Sequence, residues 1–144
     1  MAKPDPQGGL VIRYDYLWLW EKQKGRVDGS KQRLCAVVIS VPEKGKKPLR
    51  ALVCGITHSE PGPPEEGIEL PTKVKAHLGL DADRSWIIVS EANLVEWDDP
   101  GIVPTQSGDW SYGFLPPSLA GEIATKVLHR HNIGRLPLVR RGKE

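Results

Sequence analysis

The sequence offers little that would put it in a membrane, in an oxidising compartment or around a metal ion. No stretch approaches the roughly 20 consecutive apolar residues of a membrane span, and residues 1–7, Met-Ala-Lys-Pro-Asp-Pro-Gln, contain no apolar signal core. A cytoplasmic protein without membrane contact is the expectation. There are two cysteines, Cys35 and Cys54, and no Cys-X-X-Cys, which speaks against a disulfide scaffold and predicts two reduced thiols inside apolar strands. His58, His77, His129 and His131 are scattered without metal-ligand spacing, so neither a structural zinc nor any other metal or cofactor is expected. A Gly-X-Ser-X-Gly elbow and a P-loop are both missing, which argues against a serine hydrolase and a nucleotide hydrolase. The net charge of +2 is too small to mark a nucleic-acid binder by itself.

What is present is ordinary globular material. With 39% hydrophobic and 26% charged residues the chain has enough apolar side chains for a core. Its 144 residues suit one domain over 1–144, with 1–8 and 135–144 read as flexible tails. Thirteen prolines and 15 glycines demand many turns, which favours short strands over long helices. The predicted fold is therefore mainly β, in the α+β class: a small curled antiparallel sheet or an SH3-like barrel with a C-terminal helix.

Hydrophobic patterning places the elements. Leu34 to Val41 and Ala51 to Ile56 are apolar, β-branched runs on either side of a turn-like insert at 42–48, and read as neighbouring core strands. Gly9 to Trp20 reads as a first strand, with Tyr14, Tyr16, Trp18 and Trp20 on one face. Such a face is a core wall or dimer seam on one reading, and a stacking platform for unpaired bases on another. Glu21 to Ser30 reads as a long mobile loop, Gly67 to Leu70 as a short strand, and Pro71 to Leu78 as a short helix closed by Gly79. Trp86 to Ser90, Leu94 to Trp97 and Trp110 to Leu115 follow as strands. Ser118 then caps a helix to about His131, with Leu119, Ile123 and Val127 at helical spacing and Asn132-Ile133-Gly134 as its stop.

Charge is unevenly spread along the chain. Lys22, Lys24, Arg26, Lys31 and Arg33 fall in one segment and Arg135, Arg140, Arg141 and Lys143 in another, while acids gather in 60–69 and 81–99. Such asymmetry builds either a positive groove or two solvated basic stretches. Arg33 stands immediately before an apolar strand, where its planar fork suits a phosphate. Thr57 closes the next strand with a hydroxyl, and His58 follows as the residue type that titrates nearest neutral pH.

Three blocks carry a family resemblance. They are Gly9-Leu10-Val11-Ile12-Arg13 with its continuation from Gly29 to Val38, Ala51 to Ser59 with a strand that closes on Thr57, and Ser85 to Trp97 with the helical tail from Pro116. In their order along the chain they resemble the MazF/PemK/Kid family of bacterial toxins. Leu34 stands where that family carries proline, and Glu91 where it commonly carries aspartate.

The resemblance implies an endoribonuclease toxin that cleaves single-stranded RNA at short sequence motifs, needs no metal, arrests growth, forms a homodimer and is neutralised by a cognate antitoxin. It implies catalytic roles for Arg33, Thr57 and Glu91. In this chemistry the substrate's own 2′-hydroxyl attacks phosphorus, so the protein supplies a base, charge stabilisation and a proton for the leaving oxygen. Arg33 would stabilise the phosphoryl oxygens and, as a second role, help protonate the leaving oxygen, and Thr57 would orient the phosphate. The base would be His58 or Glu91. RNA contacts would come from Lys22, Lys24, Arg26 and Lys31, with Tyr14 or Trp18 stacking on bases. A second class stays open: a non-enzymatic barrel that binds a protein, in the manner of the fold-related gyrase poisons, or RNA without cleaving it.

Overall fold

The computed structural model describes residues 3–27, 29, 31–42 and 49–140. Most of the predicted turn at 42–48, and Arg141 and Lys143 of the basic tail, lie outside them. Among the described residues the chain forms nine strands and three helices, in a mainly β fold of the α+β class.

The strands are β1 (Leu10–Tyr14), β2 (Arg33–Val41), β3 (Arg50–Thr57), β4 (Gly67–Glu69), β5 (Trp86–Ile88), β6 (Ala92–Glu96), β7 (Ile102–Val103), β8 (Gly113–Phe114) and β9 (Leu138–Val139). The helices are α1 (Leu19–Gln23), α2 (Thr72–His77) and α3 (Pro117–Asn132). The main sheet runs β4-β5-β3-β2-β1-β7, all antiparallel. Strand β3 pairs with β5 through Ile56 and Thr57 but with β6 through Arg50 to Val53, so one strand serves two partners and the sheet curls around it. No ladder joins β4 to β7 among the described residues, so the sheet is curled and open rather than a closed barrel.

Strands β2 and β3 are buried on both faces, which is why they read as nearly continuous apolar runs instead of alternating ones. Val11, Ala36, Val38, Cys54 and Ile56 face one cluster, closed by Leu119, Ile123 and Val127 of α3. Those three residues repeat every fourth position and make the apolar stripe of the helix. Burying each contributes about 1.5–3 kcal/mol. Ile12, Tyr14, Cys35, Val37 and Val53 face a second cluster, closed by Tyr16, Trp18, Trp86 and Trp97. Both cysteines are free and buried, with thiols pushed well up by desolvation.

Several expectations are corrected. The first strand ends at Tyr14, and Trp20 lies 51% exposed on α1 rather than on a strand face with Tyr14, Tyr16 and Trp18. Helix α1 occupies the start of the predicted loop because Glu21, at its third position, turns back to accept the Trp18 N–H at 3.0 Å. Helix α3 begins at Pro117 with Pro116 at its N-cap, and Ser118 makes no cap. Proline at the first helical turn loses no hydrogen bond.

The described parts of the two expected tails are packed. Trp97 Nε1 donates to the Pro4 carbonyl at 2.7 Å, and Lys3 lies over the Trp97 and Trp110 rings. At the other end β9 pairs in parallel with β6 and buries Val139, with Leu136 buried just before it. No helix among the described residues is long and apolar enough to cross a membrane.

Candidate active site

Antiparallel pairing brings the C-terminal ends of β1 and β3 beside the N-terminal end of β2. Arg33 and Thr57 each lie two residues beyond the Cys35–Gly55 pair, so they sit across from one another at the rim of the sheet. By alternation both share the face of Cys35 and Gly55, whereas Arg13 lies opposite Leu34 and shares the other face. The strand stops at Thr57, so alternation no longer governs His58.

Around these ends opens a cleft of about 590 Å³ lined by Arg13, Lys31, Gln32, Arg33, Leu34, Ile56, Thr57 and His58. The loop after α2 closes it with Gly79, Leu80, Asp81 and Ser85, and Gln106 and Tyr112 complete it. Arg13, Lys31 and Arg33 face the single lining carboxylate Asp81, a balance of +2 with His58 neutral. The cleft is thus locally positive on a chain whose net charge is only +2.

Arg33 is half-buried and its guanidinium carbon lies 5.6 Å from the Trp18 ring centroid. Its Nε is buried and has no hydrogen-bond partner among the described residues. Thr57 Oγ1 accepts the Ser59 N–H at 3.1 Å, so the hydroxyl proton is what it has left to donate. His58 Nε2 is 3.0 Å from Asp81 Oδ2. Tyr112 donates to Gln106 Oε1 at 2.9 Å, and burial raises its phenol above the ordinary range.

Of the predicted site residues, the structure brings Arg33, Thr57, His58 and Lys31 into this cleft. Lys22, Lys24 and Arg26 are not there. Lys22 Nζ donates to the Arg140 carbonyl at 3.0 Å, Lys24 lies over the Trp20 ring, and Arg26 approaches Glu21 at 3.9 Å. Helix α1 turns that part of the basic segment away.

Tyr14 is buried in the second core cluster and offers no ring face to a base. Trp18 is 5% exposed, packed edge-on against Tyr16 and held beneath Arg33. It borders a smaller groove of about 270 Å³ that shares Arg33 and Thr57 with the cleft, but its ring supports the arginine rather than standing free.

Glu91 is also elsewhere. It is buried, accepts the Leu19 N–H at 3.0 Å and the Tyr16 O–H at 3.3 Å, and borders a groove with Trp20, Pro64, Arg130 and Arg135. Desolvation pushes its carboxyl up to about 7. It ties α1 to β6 and does not line the cleft that holds Arg33.

Sequence reasoning missed Arg13, Gln106, Tyr112 and Asp81. Arg13 carried the same signal as Arg33, a cation at the end of an apolar strand. The other three lie in loops that only the fold brings near. His58, Asp81 and Asp83 bring potential ligand atoms within 4.8 Å of one another. The ammonium of Lys75 already bonds Asp81 Oδ1 at 2.6 Å, so an added cation would compete with it. No protein-family model, curated protein or solved structure matches the chain.

Proposed function

We propose that this chain is a metal-independent endoribonuclease toxin that cleaves single-stranded RNA in the Arg33 cleft, as its resemblance to the MazF/PemK/Kid family implies. The observation that carries the reading is the meeting of Arg33 and Thr57 at the ends of β2 and β3, on a cleft that also gathers Arg13, Lys31 and His58. A guanidinium on the cleft wall and a hydroxyl with a proton to give suit a phosphodiester whose oxygens gain negative charge.

The substrate's 2′-oxygen attacks phosphorus while His58 takes its proton. Arg33, with Arg13 and Lys31 nearby, stabilises the charge on the phosphoryl oxygens, and Thr57 orients them. The P–O5′ bond then breaks, the 5′-oxygen leaves with its electron pair and takes a proton from water, and a 2′,3′-cyclic phosphate remains. Homodimerisation, neutralisation by an antitoxin and action in the cytoplasm as a growth inhibitor belong to the same proposal.

The test is incubation of the full chain with a long single-stranded RNA in excess chelator, beside Arg33→Ala. Discrete cuts with cyclic-phosphate ends, lost in the folded variant, support the reading. Intact RNA with the folded wild-type protein overturns it and favours the non-enzymatic binding module.

A further inference from the structure

Helix α2 delivers a buried ammonium to the edge of the cleft. Lys75 is 5% exposed, and its Nζ donates to Asp81 Oδ1 at 2.6 Å, to Ser85 Oγ at 2.8 Å and to the Asp83 carbonyl. All three of its protons are engaged, which is what makes burying a cation tolerable. Asp81 Oδ1 also accepts the Asp83 N–H at 3.1 Å. One carboxylate oxygen is thus pinned by the protein's interior, and the other, Oδ2, is turned to His58 Nε2 at 3.0 Å.

We propose that Asp81, anchored by Lys75, is a positioning residue that fixes the His58 imidazole with its proton on Nε2 and its free lone pair on Nδ1, poised for the substrate's 2′-hydroxyl. This rests on the ribonuclease reading above. The hydrogen bonds from Lys75 and then His58 hold the Asp81 carboxyl below its usual range, so near neutral pH it is ionised and can only accept. The hydrogen at Nε2 is then supplied by the histidine, and a neutral ring keeps Nδ1 as its one acceptor. Nδ1 takes the 2′-proton as the O2′–P bond forms, and the resulting imidazolium donates through Nε2–H to Asp81 until Nδ1 releases the proton to water.

The arrangement also accounts for what alternation along the strand does not. His58 is exposed and follows the last residue of β3, where nothing in the strand would orient its ring. Asp81 comes from a different element and supplies that orientation across the cleft.

Two measurements test this on the full chain. In a double-mutant cycle on one mapped RNA site, His58→Ala should lose about 10²–10⁴-fold in single-turnover cleavage. Asp81→Asn should lose about tenfold or more alone and nothing further in the His58→Ala background, each variant first shown to be folded. Imidazole ¹⁵N spectra should show His58 as the Nε2–H tautomer in the wild type, with that preference lost in Asp81→Asn. Equal losses from Asp81→Asn in both backgrounds, or an unchanged tautomer, overturn the positioning role. Cleavage that needs Arg33 but not His58 overturns this inference and leaves the ribonuclease reading standing. An Nε2–H His58 in a folded protein that cuts no RNA removes the ribonuclease reading instead.

Discussion

The Asn93 carboxamide hydrogen-bonds both backbone groups of Leu17: its Oδ1 accepts the Leu17 N–H at 2.9 Å and its Nδ2 donates to the Leu17 carbonyl at 2.8 Å. A side chain on β6 thereby does for residue 17 what a neighbouring strand would otherwise do. It holds the extended segment between β1 and α1, and with it the Trp18 ring beneath Arg33.

Asn93→Ala should therefore cost more than a typical surface change. It orphans two buried backbone groups, each worth about 1–3 kcal/mol, so a loss of roughly 2–6 kcal/mol is expected in denaturant unfolding. A loss below about 1 kcal/mol would mean that water replaces the carboxamide.

Arg33→Lys tests geometry apart from charge. Lysine keeps the positive charge but lacks the planar fork, so it should recover little of the proposed cleavage that Arg33→Ala is expected to lose. A deficit of about 10²-fold or more is expected, since one donor to a developing oxyanion carries that much. Cleavage within a few-fold of wild type would reduce Arg33 to a point charge.

Gly55 allows Trp18 to sit against β3: a Cβ built there falls 2.6 Å from Trp18 Cη2 and 3.0 Å from Cζ2. Gly55→Ala should force the ring away at about 1–3 kcal/mol, and displace the support under Arg33. The expected result is a lower melting temperature together with slower cleavage. Slower unfolding or unchanged stability would show that the ring has room to move.

Glu91 makes stability depend on pH. Its carboxyl titrates near 4.5 when unfolded and is pushed up to about 7 by burial. The folded state therefore holds this proton more tightly, and its contribution is complete below about pH 4.5 and lost as pH rises through about 7. The total is on the order of 3 kcal/mol. Glu91→Gln keeps an acceptor for Leu19 and Tyr16 but does not titrate, so its stability relative to wild type should climb across that window. A flat difference would mean that Glu91 stays ionised in the fold.

Much of the fold was determined by the sequence alone. The apolar runs of β2 and β3, the Leu119–Ile123–Val127 stripe of α3 and the glycine after α2 are local patterns, and each follows from the period of its own element. Arg33 and Thr57 were legible for the same reason, as polar residues at the ends of apolar strands. Only the tertiary structure decided which partners they meet. It turned Lys22 aside on α1 and Lys24 and Arg26 just beyond its end, buried Tyr14, placed Glu91 in another groove, and carried Asp81 to His58 across 23 residues of chain. Periodicity reports which face of an element is apolar, whereas a hydrogen bond between distant loops depends on the register of β3 with β5 and the packing of α2, and no local pattern encodes either.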